Sequence, residues 1–273
     1  MNPTTYLFVP GNRPERFDKA IASGADRVIL DLEDAVAPGD KGLARAAISQ
    51  WMASLDASTR AKVVVRINDA MCPWHSEDLD WLAHNAAPEV MLAKCESAHQ
   101  VAVVHEHMAS GGQVLPLIET VRGVLALNDI AAAAHVSRLA FGAIDYMLDL
   151  DVPGPGFALD SAALAISMAS RAAGLPSAIA GVTPEIDVAR VKADMTHAQA
   201  LGFSAKLCIH PMQVSAVREA LMPSVEAQAW AIRTVTAWRT SSGSGAVQLD
   251  GKMIDKPVFL RAQRIMDAAG LKY

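Results

Sequence analysis

Eight short runs of β-branched and aliphatic residues, each followed by a segment with helical spacing, constrain this chain more than any other feature. The runs are TYLFVP (5–10), RVILDLED (27–34), VVVRIN (63–68), EVMLAKC (89–95), VLPLIET (114–120), RLAFGAID (138–145), SAIAGV (177–182) and AKLCIH (205–210). Between them lie stretches rich in Ala, Leu, Glu and Lys, such as PERFDKAIASG, KGLARAAISQWMASL, SAHQVAVVHEHMAS and EIDVARVKADMTHAQALG, several closed by a glycine at the helix C-cap. Strands that are apolar nearly throughout are buried on both faces, as in parallel sheets covered by helices. Eight such units predict an α/β fold, a closed (β/α)8 TIM barrel, whose reactive groups stand at the C-terminal ends of its strands. The competitor, a doubly wound sheet, would carry a Gly-rich turn after its first strand, whereas PGNRPERF has one glycine followed by proline.

This reading gives a barrel over residues 1–222 and a C-terminal helical and flap extension over 223–273. The extension holds a helical stretch around VEAQAWAIRTVTAWR, the linker SSGSG (241–245), the hairpin-like AVQLDGKMIDKP and a last helix, VFLRAQRIMDAAG. A Gly/Ser linker before a short hairpin reads as a mobile flap that covers an active site, its own or a neighbouring subunit's. The alternative is a disordered excursion before a packing helix.

With 273 residues, 52% hydrophobic and 19% charged, the chain has material for a large core. A net charge of -5 without any Lys/Arg-rich stretch argues against a nucleic-acid surface. No apolar run reaches membrane-spanning length, and MNPTTYLFVPG lacks the basic-then-apolar pattern of a leader, so the expectation is a soluble, cytoplasmic protein with no membrane partner. Cys72, Cys95 and Cys208 are an odd number without CxxC pairing, which suits a reducing compartment. Cys72 and His75 have no second ligand pair to make a zinc site with them.

Two carboxylates, Glu119 and Asp145, stand where the fifth and sixth apolar runs stop. Magnesium takes oxygen ligands and needs only one or two carboxylates from the protein, so this pair suffices for a metal site. Local pairing with Arg122 or Arg138 is the alternative. Arg66 ends the third run, either to clamp a substrate carboxylate with its planar fork or to serve as a structural salt partner. Asp31, Glu33 and Asp34 crowd the end of the second run and need cations nearby, with Arg66 and Lys94 available; Glu33 and Asp34 read as supports behind the ligands. In PGNRPERFDKA, Arg13 and Lys19 set two cations around a helix start, as a phosphate grip or as a solvated face. His210, in IHP, reads as a hydrogen-bonded structural residue, and His105 and His107 point to different helix faces.

Taken together, YLFVPGNRPERFDKA, VILDLEDAV, VVVRIN, LPLIET, FGAIDY, CIHPMQV and DGKMIDKPV resemble the citrate lyase β-subunit family of CoA-ester lyases, in order and across nearly the whole chain. That group includes malyl-CoA and citramalyl-CoA lyases and belongs with the phosphoenolpyruvate/pyruvate-type barrels. The resemblance implies a magnesium-dependent barrel, commonly a homotrimer. It makes Glu119 and Asp145 the Mg2+ ligands and sets Arg66 on the carboxylate or oxyanion of the bound acid. Phe8, Arg13 and Lys19 match positions that hold the CoA moiety, and Asp255 matches a tail aspartate that reaches a neighbouring subunit's site. One departure is Ile144, where many relatives carry a second acid.

On this basis the expected activity is cleavage of a 3-hydroxyacyl-CoA with a distal carboxylate, such as citramalyl-CoA or malyl-CoA, to acetyl-CoA and a 2-oxo acid. Asp255 would protonate the departing enolate. Three alternatives stay open: a citryl-acyl-carrier-protein lyase, a class II 2-oxo acid aldolase that needs no CoA grip, and a non-catalytic CoA-ester-binding subunit.

Overall fold

The computed structural model describes residues 2–109, 111–240 and 247–272, so the SSGSG segment lies outside the described residues. The chain divides into two compact units, Met1–Arg218 and Glu219–Tyr273, and the division falls within the helix Pro211–Leu221.

In the first unit β1 (Thr5–Pro10), β2 (Arg27–Asp31), β3 (Val63–Ile67), β4 (Glu89–Leu92), β5 (Gln113–Ile118), β6 (Ala140–Phe141), β7 (Ile179–Ala180) and β8 (Ala205–Cys208) form a closed barrel. Each strand pairs in parallel with the next, and β8 returns to β1 with Thr5 opposite Lys206. The (β/α)8 TIM barrel expected from the eight apolar runs is the observed fold. Tyr6, Ile29, Val64, Met91, Leu115, Leu117, Ala140, Ile179, Ala205 and Leu207 fill the interior. The alternate strand residues Leu7, Val28, Leu30, Val63 and Val65 are also fully buried, as are Phe17, Ile48, Leu82, Val101, Ile166 and Val191 in the surrounding helices. Burial on both faces is why the strands read as continuous apolar runs, each large side chain contributing about 1.5–3 kcal/mol.

Several strands stop earlier than their apolar runs. β2 ends at Asp31, leaving Glu33 and Asp34 in the following loop. β6 is only two residues long: Gly142 still donates its N–H to Ile118 O at 2.9 Å, but the chain then turns into the helix Ala143–Asp149. Asp145 therefore sits in the first turn of a helix, not at a strand end.

At the N-terminal end of the barrel, buried Arg138 donates to the carbonyls of Pro3 (2.7 Å) and Ser177 (2.5 Å) and to the Ser204 hydroxyl (2.8 Å), tying three segments together.

In the second unit the helices Val225–Thr240 and Lys256–Ala268 pack through Ala231, Val235, Ala262 and Met266, with Trp238 stacked on Phe259. β9 (Val247–Leu249) and β10 (Lys252–Ile254) form an antiparallel hairpin. Its turn residues Asp250 and Gly251 both have positive φ, at 49° and 73°, as a tight two-residue hairpin turn requires. No helix among the described residues is long and apolar enough to cross a membrane.

Candidate active site

Asp31 and Arg66 are direct register partners on β2 and β3, one residue from the C-terminal end of the latter. Their side chains form a fork: Arg66 Nε donates to Asp31 Oδ1 at 2.7 Å and Nη2 to Oδ2 at 2.6 Å. Asp31 also accepts the N–H groups of Glu33 and Ala35. Arg66 Nη1 lies 2.6 Å from Glu33 Oε2, an ion-pair contact without hydrogen-bond alignment, and the guanidinium covers the Phe8 ring at 4.8 Å. Burial opposes charge on Arg66, yet Asp31, Glu33 and Glu119 hold its pKa above the ordinary value. Burial likewise disfavours the Asp31 anion, but Arg66 and the two backbone donors keep its carboxyl below the usual range. Glu33 is different: burial, with Asp34 adding to it, raises its carboxyl despite contacts to both Arg66 and Lys94.

A buried network supports this side of the barrel mouth. Lys41 Nζ donates to the carbonyls of Leu32 and Glu33 and to Asn68 Oδ1 at 2.6–2.8 Å. Asn68 in turn donates to Leu32 O and Asp78, and Asp78 receives Arg45 Nε at 2.8 Å. The loops after β2 and β3 are thus pinned to one another. Sequence reasoning missed Lys41, Arg45, Asn68 and Asp78. The one available signal was the polar Asn68 closing VVVRIN, and nothing local names partners so far along the chain.

The second half of the site follows β5. Glu119 is 2% exposed and accepts the Lys94 N–H on Oε1 at 2.8 Å. Its other oxygen faces Gly142, where a Cβ would lie 2.5 Å from the Glu119 Cβ and closer still to Oε2, so the glycine makes room for the carboxylate. Half-buried Asp145 follows three residues later. Among the described residues, neither Glu119 nor Asp145 has an ion-pair partner. Arg138 is engaged at the opposite end of the barrel, and Arg122 is exposed. Burial, reinforced by the negative charges of Glu33 and Asp145, pushes Glu119 up to about 8 against the opposing field of Arg66. Two oxygen donors, one buried and short of a counter-charge, with a cradle that a Cβ would fill, suit a divalent cation. No set of three or more His, Cys, Asp or Glu poised for a metal occurs among the described residues. A two-carboxylate magnesium site does not need one.

The remaining candidates scatter. Phe8 is half-buried against the barrel interior beneath Arg66. Arg13 is exposed, 3.8 Å from Glu15, and precedes a 3-10 turn over Pro14–Arg16; Lys19 is exposed in the last turn of the six-residue helix Phe17–Ala22. The two cations therefore do not share one N-terminal turn, because the 3-10 turn separates them. Asp34 is exposed in the loop beyond Glu33. Cys72 and His75 both turn to Asn68, His210 Nδ1 accepts the Met212 N–H, and His107 bonds back to Val103 O, while His105 stacks on His135. Asp255, in the second unit, caps the helix Lys256–Ala268 by accepting the Val258 N–H at 3.1 Å.

The model of the HpcH/HpaI aldolase/citrate lyase family matches residues 4–211. The chain belongs to this family. Among family members, a citrate lyase subunit beta-like protein of Mycobacterium tuberculosis is 38% identical over 272 residues, covering 97% of this chain and 95% of its own. A (3S)-malyl-CoA thioesterase of Cereibacter sphaeroides is 27% identical over 272 residues, covering 97% of this chain and 94% of its own. The crystal structure of CitE from M. tuberculosis in complex with magnesium, acetoacetate and coenzyme A superposes with a TM-score of 0.87 at 37% identity, over 98% of both chains.

Two outcomes follow from the geometry around Glu119. Gly142→Ala displaces the carboxylate, and calorimetric titration of the folded variant should show magnesium affinity reduced at least about tenfold, a loss of ~1.4 kcal/mol. The raised Glu119 carboxyl also means that, at this group, the folded, metal-free protein holds more of a proton than the unfolded chain between pH 4.5 and about 8, so the contribution of Glu119 to stability falls as pH rises through that window. Denaturant titrations in EDTA should show this decline lessened in Glu119→Gln; identical pH dependence in both proteins would contradict burial of an uncompensated carboxylate.

Proposed function

We propose that this chain is a magnesium-dependent carbon–carbon lyase acting on a 3-hydroxyacyl-CoA with a distal carboxylate, citramalyl-CoA or malyl-CoA being representative. The products are acetyl-CoA and a 2-oxo acid, formed by reversible Claisen cleavage. The observation that carries the reading is the Glu119–Asp145 pair, unneutralised at the barrel mouth beside a buried, fixed guanidinium. The related CitE was crystallised with magnesium, acetoacetate and coenzyme A, ligands of the kind this chemistry uses.

In the cleavage, the bond between the hydroxyl-bearing carbon and the thioester α-carbon breaks. The hydroxyl gives up its proton to solvent and becomes the oxo group, and the bonding pair leaves on the thioester as an enolate, which takes up a proton at carbon. Glu119 and Asp145 would hold magnesium, which when bound would supply charge stabilisation to the oxygen that becomes the carbonyl. Arg66, fixed by Asp31 and Glu33, orients the carboxylate end through its remaining N–H groups, with Phe8 setting the plane of the guanidinium. Arg13 and Lys19 are exposed cations for the CoA phosphates.

Asp255 is the proton donor to carbon in this scheme, and the base in the synthetic direction. Its flap serves the site of a neighbouring copy in a homo-oligomer, a trimer in the favoured form. Residues 223–273 act as that extension to the barrel at 1–222, and the protein works in the cytoplasm.

A second reading, thioester hydrolysis, is favoured by the malyl-CoA thioesterase relative. It releases free CoA where cleavage releases acetyl-CoA.

Mass spectrometry of a CoA-thioester panel with magnesium, repeated in EDTA and beside a citryl-acyl-carrier-protein substrate, separates these readings. Acetyl-CoA with a 2-oxo acid, lost in EDTA, is expected; free CoA as the primary product would replace cleavage by hydrolysis. Asp255→Asn provides a clean variant, since asparagine caps a helix as well as aspartate does. It should lose nearly all turnover with magnesium affinity intact, and wild-type turnover would refute the assignment.

A further inference from the structure

Lys94 joins the two halves of the site. Its backbone N–H reaches Glu119 Oε1 at 2.8 Å, and its ammonium reaches Glu33 Oε1 at 2.6 Å. It does so with φ at 44°, in the left-handed region that a lysine rarely adopts and that its Cβ disfavours. The chain just beyond is fixed: Cys95 donates its N–H to Leu117 O at 3.1 Å, and Gly123 lies so close to Cys95 O that a Cβ there would approach to 2.6 Å. With Leu92 held in β4 opposite Pro116 and Cys95 held on Leu117, a change of φ at Lys94 has to displace the peptide that carries its N–H to Glu119. The ammonium is a third exposed and free to enter water, yet it is held on a carboxylate that is almost wholly buried. Strain of this kind persists only where the surroundings over-determine it, and it clusters at functional sites.

We infer that Lys94 is a positioning residue: tethered to Glu33 through its ammonium, it holds the strained turn that aims its own N–H at Glu119 and so orients that carboxylate for a metal ion. The inference rests on the reading of Glu119 as a magnesium ligand. It goes beyond charge neutralisation of Glu33, because the tether acts through the backbone. The competing account, in which Lys94 merely balances an acidic site, makes a different prediction for two substitutions that remove the same charge.

Lys94→Met loses the tether and keeps a Cβ that disfavours positive φ, so its turn relaxes and Glu119 loses its donor. Lys94→Gly loses the tether too, but glycine occupies positive φ without that penalty and keeps the N–H in place. Magnesium titration of the metal-stripped full chain by calorimetry, with folding of each variant checked by circular dichroism, should give Lys94→Gly an affinity about tenfold above Lys94→Met. Equal affinities in the two variants, or a weaker Lys94→Gly, would overturn the positioning role, since both carry the same charge change. Glu119→Gln is the control. If it titrates like the wild-type protein, the metal reading falls and this inference with it; if it loses the metal while the two Lys94 variants bind alike, only the role of Lys94 falls.

Discussion

The fork between Arg66 and Asp31 is the contact on which the site depends. It spans adjacent strands, lies almost wholly out of water, and places one permanent cation under the barrel mouth. Removing one member of such a pair strands the other charge in a low-dielectric setting, at a cost of about 3–5 kcal/mol. The fork also allows Glu33 and Glu119 to be buried nearby, since Arg66 acts electrostatically on both. The carboxylates at this end, Asp31, Glu33, Asp34, Glu119 and Asp145, outnumber the cations Arg66, Lys94 and Lys41. That imbalance is concentrated where Glu119 and Asp145 stand, and a divalent ion would correct it.

Each half of the site is held by a different device. On the arginine side, a buried lysine, Lys41, gathers carbonyls and Asn68, so that the loop carrying Glu33 cannot drift from the loop after β3. On the Glu119 side, the absence of a side chain at Gly142 and one backbone N–H from Lys94 fix a single carboxylate. Rigid placement of this kind is what charge stabilisation in a lyase requires, because donors aligned in advance need no reorganisation as the bond breaks.

The barrel was legible because burial on both strand faces leaves continuous apolar runs, and β1 coincides with TYLFVP residue for residue. Glu119 was legible as a lone acid at the end of such a run. Asp145 stands on a different element from the one its run suggests: AFG looks extended, but Gly142 ends the strand and opens a helix. The cations expected for the Asp31–Glu33 cluster, Arg66 and Lys94, are both in contact with it. Lys41 and Asp78 were invisible because their partners are tertiary, and Asn68 showed only as a polar residue closing VVVRIN. The left-handed turn at Lys94 was equally hidden, since nothing in LAKCES marks a positive φ, which only the assembled contacts impose.

What this site can do turns on a cation between Glu119 and Asp145. Crystals grown with manganese in place of magnesium allow the ion to be located by its anomalous scattering. A single peak within coordination distance of both carboxylates is the expected result; a peak held by Glu33 and Asp34 instead, or none at the barrel mouth, would contradict it.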